Sequence, residues 1–378
     1  MSPEPREPLQ LPQACLGAEA HARCLERVFA RGWHHALDAH ELPRPGAVLP
    51  QRFVPGALDE PLVWTREPSG ALHVLSNVCT HRANLVARVP GPAATLTCEY
   101  HGRSFDLCGR ARASPGFGPG SGFPRPSDDL RAAQHALLGP LAFASLAPQH
   151  SFEALTAELR ARCASDTWAN AQSAPERART YEFDANWALY VENYLEGLHV
   201  PFVHAGLARA IESQGYRVEL GARSVLQRAL ARSGEACFEP PPGHPDHGQR
   251  VAAWYWWLYP ATMLNVYPWG ISLNAVHPLG PARTRVHFRS YVLDERWLER
   301  GAGAQLDEVE LEDEAIVERV QRGLQSRLAR PAQDAALAPG HEDGIAHFRA
   351  LLRRALEGPT PANRGETARL DELREPPR

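Results

Sequence analysis

The chain has no lysine. All 40 of its basic residues are arginine, scattered among Ala, Leu and Pro, a bias of composition to which no function attaches. It also has no excess of either charge. With 44 acidic residues, the formal net charge of −4 leaves no electrostatic footprint for nucleic acid or an anionic membrane surface. No apolar run approaches the roughly 18 residues a membrane span requires. The opening "MSPEPREPLQLPQACLG" lacks the basic start, apolar core and cleavage site of a secretory signal. Cysteine is sparse and irregularly spaced: Cys15, Cys24, Cys79, Cys98, Cys108, Cys163 and Cys237. An odd count in that spacing argues against a secreted disulfide framework, so a cytoplasmic, reducing setting is expected, where Cys and His tend to bind metal. Nucleotide fingerprints are missing too. There is no P-loop, and the glycines of "PGFGPGSGFP" sit among prolines with no helix after them, which makes that stretch a loop. A redox protein of this sequence carries no nicotinamide or flavin fingerprint of its own.

What is present is ordinary globular composition, 44% hydrophobic and 22% charged over 378 residues, enough for two domains with separate cores. Residues 19 to 33 place Cys24, Leu25, Val28 and Phe29 on one helical face. From about 45 to 147, short strand-like runs such as "LVWTR", "LHVLSNV" and "PLAFASL" alternate with turn residues. A helix is predicted near 152 to 163. Segment 179 to 232 opens as a strand and continues as a helical stretch from Trp187. Residues 251 to 294 read as strands again, and the C-terminal third as helices. The polar tail "PTPANRGETARLDELREPPR" is expected to fray or to wrap a partner. A β domain followed by a second sheet closed by long helices is α+β.

Two stretches carry chemistry. "CTHRANLVARVPGPAATLTCEYHG" offers Cys79 and His81, then, sixteen residues on, Cys98 and His101. Zinc fingers pair Cys with Cys and His with His along the chain, whereas here each loop supplies one of each. That alternation suits a two-iron cluster with two thiolates on one iron and two imidazoles on the other. A zinc clip is the bland alternative, and Cys108 reads as a small, buried or half-buried residue. The spacing C-x-H, then C-x-x-H-G followed by F-D-x-x-G, resembles the Rieske domain of the Rieske non-haem iron oxygenases.

The second stretch, "NWALYVENYLEGLHVPFVH", contains His199 and His204, which a regular helix offsets by roughly 140°. Pro201 disfavours α conformation at Val200, so a kink or wide turn is needed to bring both rings to one metal. Two histidines and an acid can form a facial triad on Fe(II). The acid must come from elsewhere. In the family, a helix similar to "EDEAIVERVQRGL" carries it at the position of Asp313, with Glu312 the competitor. Glu196, one helical turn before His199, can hydrogen-bond that ligand's other nitrogen. The resemblance further implies that Glu196 bridges His199 to His101 of an adjacent subunit in a head-to-tail homotrimer, with Asn193 supporting the network. Glutamate at position 196 resembles the group acting on quaternary amines. Ala188, where relatives carry lysine, is a departure from the pattern at a position that is not a metal ligand.

The resemblance implies an N-terminal helical arm (1–44), an antiparallel β Rieske domain (45–150) and a helix-grip-type catalytic domain (151–378), a curved antiparallel sheet under long helices. It implies a [2Fe-2S] cluster, a mononuclear Fe(II), O2, a small organic substrate and a separate NAD(P)H-dependent reductase of flavin/ferredoxin type. Monooxygenation or N-demethylation of an amine or quaternary ammonium compound is favoured, and ring hydroxylation of an aromatic compound is the alternative. Two readings from other classes are an electron carrier without oxygenase chemistry and a zinc-stabilised binding module. Trp254, Tyr255, Trp256, Trp257, Tyr259, Tyr267 and Trp269 could cage a cation or simply fill the core.

Overall fold

A computed structural model of the chain describes residues 17–118, 120–163, 170–328 and 336–357. The polar C-terminal tail lies outside them. The first helix, α1 (Ala18–Cys24), continues as a π-turn over Leu25–Phe29, closed by a bond from the Ala30 N–H to the Leu25 carbonyl. The wider turn buries Cys24, Val28 and Phe29 together. The first ten strands are β1 (His34–Asp38), β2 (Ala47–Phe53), β3 (Glu60–Arg66), β4 (Leu72–Ser76), β5 (Gly91–Pro92), β6 (Leu96–Thr97), β7 (Ser104–Phe105), β8 (Ala111–Ala113), β9 (Gln134–Leu138) and β10 (Leu141–Ser145). They form three small antiparallel sheets, ordered β4-β3-β2-β5, β6-β7-β8 and β1-β10-β9. The first two enclose a small core of their own that includes Val63, Leu75, Phe105 and both Cys79 and Cys98. Thus β1, inside the segment read as a helical arm, is a strand paired with β10.

After α2 (Phe152–Arg162), the rest of the chain builds on one eight-stranded antiparallel sheet. Its strands are β11 (Gln172–Ser173), β12 (Arg179–Phe183), β13 (Ile211–Leu220), β14 (Ser224–Ala231), β15 (Val251–Leu258), β16 (Thr262–Tyr267), β17 (Gly270–Gly280) and β18 (Arg283–Val292). They run β18 through β13 in order, with β11 and β12 both on β18. Strand β15, "VAAWYWWL", is buried at every position, as a strand covered on both faces must be. β13 and β14 fall where the sequence reads as helix. "SVLQRALA" is rich in helix formers, but pairing with β15 along its whole length overrides that preference.

The helices α3 (Trp187–Tyr194), α4 (Val200–Val203), α5 (Ala205–Ala210), α6 (Leu306–Gly323) and α7 (Asp343–Glu357) complete this half. The apolar stripe of α7, including Ile345, Phe348, Leu351 and Leu352, is buried, with Phe348 edge-on to both Trp187 and Trp257. Arg349 holds Glu192 of α3 by two bonds of 2.7 and 2.9 Å. These contacts fix the end of α3, from which the first ligand candidates hang. Among the described residues no helix is long and apolar enough to cross a membrane.

Asp38, 1% exposed, ties β1 to this sheet. Its carboxylate accepts from the Tyr291 hydroxyl at 2.6 Å and the Ser173 hydroxyl at 3.0 Å. Burial alone would push the carboxyl up, but bonds from His35 and Tyr291 outweigh it and hold it down to about 2. A depressed carboxylate stabilises the fold above its unfolded pKa and loses that contribution as pH falls through the folded one. Asp38→Ala is therefore expected to cost roughly 2 kcal/mol at neutral pH. In chemical denaturation, the gap from wild type should close as pH drops from about 4 towards 2.

Candidate metal centres and the cavity beside them

Cys79 and Cys98 sit in two loops of the same construction. In each, the cysteine N–H donates to the carbonyl five residues on, Asn84 or Arg103, both at 2.8 Å. In each, the cysteine carbonyl accepts from the N–H four residues on, Ala83 at 3.0 Å or Gly102 at 2.9 Å. That fourth residue is left-handed in both (Ala83 φ 55°, Gly102 φ 71°), a conformation glycine adopts without strain and alanine at a cost. The repeat brings the two thiols, both buried, within hydrogen-bonding reach of each other. It also brings the His81 and His101 rings to 4.7 Å at the outer edge. Two thiols inside and two imidazoles outside is the donor set of a cluster with unlike irons. Arg103, 3% exposed, braces the site through Asp128 at 3.3 Å and Thr80 at 3.1 Å. Its guanidinium lies 4.9 and 5.5 Å from the Phe123 and Phe117 ring centres, so the glycine-rich loop serves as a wall. Cys108 stands apart, half-buried, donating to Glu67 at 2.7 Å, and that bond pushes its thiol up to about 11.

The second centre forms where α3, α4 and α6 meet. α3 begins at Asn186, whose side chain caps the Ala188 N–H and whose own N–H donates to Gln321 of α6. The chain leaves α3 at Leu195 and passes Gly197, where a side chain would strike the Tyr216 ring at 2.7 Å. The break falls there and not at Val200: Val200 is helical, and Pro201 sits in the first turn of α4, where no donor is required. His199 caps the start of α4 and His204 its end, and four intervening residues leave the rings 5.1 Å apart at 82°. Opposite them, α6 turns Glu310, Asp313, Val317 and Gln321 inward at spacings of three and four, one face of an otherwise solvated acidic helix.

Asp313 is the meeting point. Its Oδ1 lies 2.9 Å from His204 Nε2, 3.6 Å from His199 Nε2 and 2.6 Å from the Asn193 amide that donates to it. His199, His204 and Asp313 each offer an atom within 4.8 Å of the others, a donor set suited to Fe(II) with open positions. The other nitrogen of each histidine is held by glutamate: His199 Nδ1 bonds Glu196, and His204 Nδ1 bonds Glu312 at 2.7 Å. Burial opposes charge on His204, but Asp313 and Glu312 outweigh it and raise its pKa. A metal held at Nε2 would take the place of a proton there, with Glu312 accepting the one on Nδ1. Glu312, weighed as a ligand from the sequence, bonds the Nδ1 of the candidate ligand His204. Asn193, expected beside Glu196, is bound to Asp313.

A cavity of about 90 Å³ opens beside this centre. Tyr190, Tyr194, Tyr216, Tyr255, Tyr267 and Phe288 line it, with the amides of Gln227, Asn265 and Asn274. Gln227, Tyr255 and Asn265 stand in register across three strands, which sets one row of the floor. Of the aromatic residues singled out in the sequence, Tyr255 and Tyr267 reach the cavity. Trp254, Trp256, Trp257, Tyr259 and Trp269 are core, at 5% exposure or less. Tyr190, Tyr194 and Tyr216 were not anticipated. Glu310 also lines the cavity. Burial, and then the Asp313 charge, push its carboxyl well above the ordinary range.

Family models match both halves: the Rieske [2Fe-2S] domain over residues 32–127 and the ring-hydroxylating alpha subunit catalytic domain over 171–358. The chain belongs to the Rieske non-haem iron oxygenases as an alpha, catalytic subunit, an oxidoreductase with a [2Fe-2S] centre and a mononuclear iron. Such a component works with a separate reductase, O2 and an organic substrate. Within that class it is similar to choline monooxygenase of Spinacia oleracea, 28% identical over 348 residues (88% of this chain, 75% of the relative). It is also similar to the carnitine monooxygenase oxygenase subunit of Acinetobacter pittii, 26% identical over 358 residues (86% and 89%). The fold matches the quaternary ammonium Rieske monooxygenase CntA at TM-score 0.71 and 22% identity, covering 91% of this chain and 94% of that one. It matches naphthalene 1,2-dioxygenase from Rhodococcus sp. at 0.69 and 18%, covering 92% and 94%.

Proposed function

We propose that this oxygenase hydroxylates a small amine or quaternary ammonium compound at a carbon on or near the nitrogen. In this reading residues 45–150 form the cluster-bearing unit and 151–378 the catalytic unit, with 1–44 an N-terminal arm packing on the catalytic unit. Electrons come from an NAD(P)H-dependent reductase, and the chain works as a head-to-tail homotrimer in the cytoplasm. Cys79 and Cys98 would hold one iron of the cluster and His81 and His101 the other; His199, His204 and Asp313 would hold the mononuclear iron. When bound, these groups supply electron storage and O2 activation. The protein's own part is orientation. Glu196 and Glu312 keep protons on the two Nδ1 atoms, leaving both Nε2 lone pairs for metal, and the Asn193 amide aims Asp313 Oδ1 at the same point.

The observation that carries the substrate class is the cavity. Six aromatic rings line it, and ring faces attract cations. At about 90 Å³ it is far below the roughly 300 Å³ at which drug-sized sites begin, which suits a compact head group better than fused rings. An electron carrier, moreover, has no use for the His199–His204–Asp313 convergence.

A single turnover of the pre-reduced, iron-loaded protein with ¹⁸O2 tests this. Pooled N-methyl amines and quaternary ammonium alcohols go in one tube, aromatic acids in another, with products read by mass spectrometry. Oxygen inserted beside nitrogen is expected. It would appear as a hydroxylated product or, after collapse of the carbinolamine, as an aldehyde with the dealkylated amine. A labelled phenol or diol would overturn the amine reading and keep the oxygenase.

A further inference from the structure

The geometry points to Glu310 as the counter-charge for the substrate's cationic nitrogen, and to a substrate that carries no carboxylate of its own. This rests on the amine reading above and narrows it.

Glu310 is 4% exposed on the inward face of α6 and lines the cavity. Its Oε2 accepts from the Tyr190 hydroxyl at 2.7 Å, while its Oε1 is buried with no hydrogen-bond partner. A carboxyl so buried and given one bond keeps its proton while the cavity is empty, and a positive charge brought beside it would let it ionise. Among the described lining residues there is no arginine, and the sequence has no lysine to offer. No side chain lining the cavity supplies that charge, and a metal at His199, His204 and Asp313 would be partly matched by Asp313 itself, which leaves the ligand. The rings of Tyr190, Tyr194, Tyr216, Tyr255 and Tyr267 share the same space and favour the same charge.

Position and sign then select the substrate. Glu310 precedes Asp313 by three residues on one helix, so the two side chains are neighbours about 5–6 Å apart at Cβ. A nitrogen held at Glu310 leaves its attached carbons facing the Asp313, His199 and His204 cluster. A substrate carboxylate in the same cavity would join Glu196, Glu310 and Asp313 with no guanidinium to meet it. Neutral polar ends fare better, because the Gln227, Asn265 and Asn274 amides can bond a hydroxyl without charge. The class that fits is an amino alcohol cation; zwitterionic amino acids and betaines do not fit.

The test is equilibrium binding to the iron-loaded holoenzyme by calorimetry. The probes are choline, its uncharged carbon isostere 3,3-dimethylbutan-1-ol, and the carboxylate-bearing γ-butyrobetaine. Wild type is expected to bind choline about 30-fold more tightly than the isostere, the scale of a desolvated charge pair. It should bind γ-butyrobetaine at least ten times more weakly than choline. Glu310→Gln keeps the acceptor for Tyr190 and should weaken choline alone, bringing the ratio to the isostere near one. Glu310→Asp should retain the preference. Equal weakening of choline and isostere in Glu310→Gln, or an unchanged ratio, would assign Glu310 a structural role and overturn the proposal. Tighter binding of γ-butyrobetaine than choline would overturn the charge selection. If Glu310→Gln fails to load iron or cluster, the wild-type ratios decide, since no preference for choline over the isostere is also fatal. A wild type that binds none of the three probes but binds aromatic acids would remove the amine reading itself.

Discussion

Asp313→Ala is expected to yield a brown protein that makes no product. One carboxylate oxygen gathers His204 Nε2, His199 Nε2 and the Asn193 amide within 3.6 Å, so the substitution removes the group on which the second centre converges. Two imidazoles alone hold a divalent metal poorly, because Fe(II) in such a site relies on the negative oxygen for both charge and geometry. The effect should exceed the roughly 10- to 100-fold typical of losing a residue that only supports a ligand. Cys79 and Cys98 lie in a different core, with His81 and His101 at its outer edge, so the visible spectrum of the cluster and its reduction by dithionite should stay as in wild type. Iron analysis should fall by the mononuclear share alone. Full iron content with undiminished product would remove Asp313 from the site. Asp313→Ala also separates the oxygenase from an electron carrier, whose electron transfer would not notice the change.

Why some of this was readable from sequence and some was not follows from how far along the chain each relationship reaches. The four candidate cluster ligands lie within 23 residues and repeat one local loop, so their pattern survives in one dimension. His199 and His204 are five apart, and α4 itself brings their rings together. Asp313 is more than 100 residues away, and only the resemblance of its helix to a family pattern singled it out. What escaped is tertiary. Glu312 and Asp313 are consecutive, and nothing local says that one meets His204 Nδ1 and the other Nε2. Tyr190 and Tyr194 sit on a short apolar helix where aromatic residues signal core. Tyr216 belongs to a strand that exists because β14 pairs on both sides. The tryptophans misled for the converse reason. A run such as "AWYWW" alternates faces, but here both faces are covered: Trp254 donates to Asp246 on one side, and Trp257 packs on Phe348 on the other. Glu310 was invisible as a site residue because an acidic residue on an acidic helix is ordinarily solvated.

Glu196→Gln is the sharper experiment on how the two candidate metal centres communicate. Its expected result is a protein with both centres filled and turnover reduced about 100-fold, the upper range for a ligand's hydrogen-bonded partner. Glu196 bonds His199 Nδ1 with one oxygen, and the other faces the N–H groups of Leu198 and His199. It is a charged link at the end of α3, beside exposed Leu198 and Phe202, the latter 90% accessible. An apolar surface next to a ligand's partner suits contact with a neighbouring subunit, where His101 of the partner subunit would complete the pair. Glutamine has the same length and can still accept, but it lacks the carboxylate's charge. The cluster spectrum should therefore be unchanged. What should slow is reoxidation of the chemically reduced cluster by O2 in the presence of substrate, followed by stopped-flow absorbance. If Glu196→Gln loses mononuclear iron in proportion to activity, Glu196 serves only to orient His199. If iron is retained while reoxidation slows, the carboxylate belongs to the electron's route to the second centre, as the proposed head-to-tail assembly requires. Under the proposed homotrimer, dilution below the subunit dissociation constant should abolish activity in wild type as well.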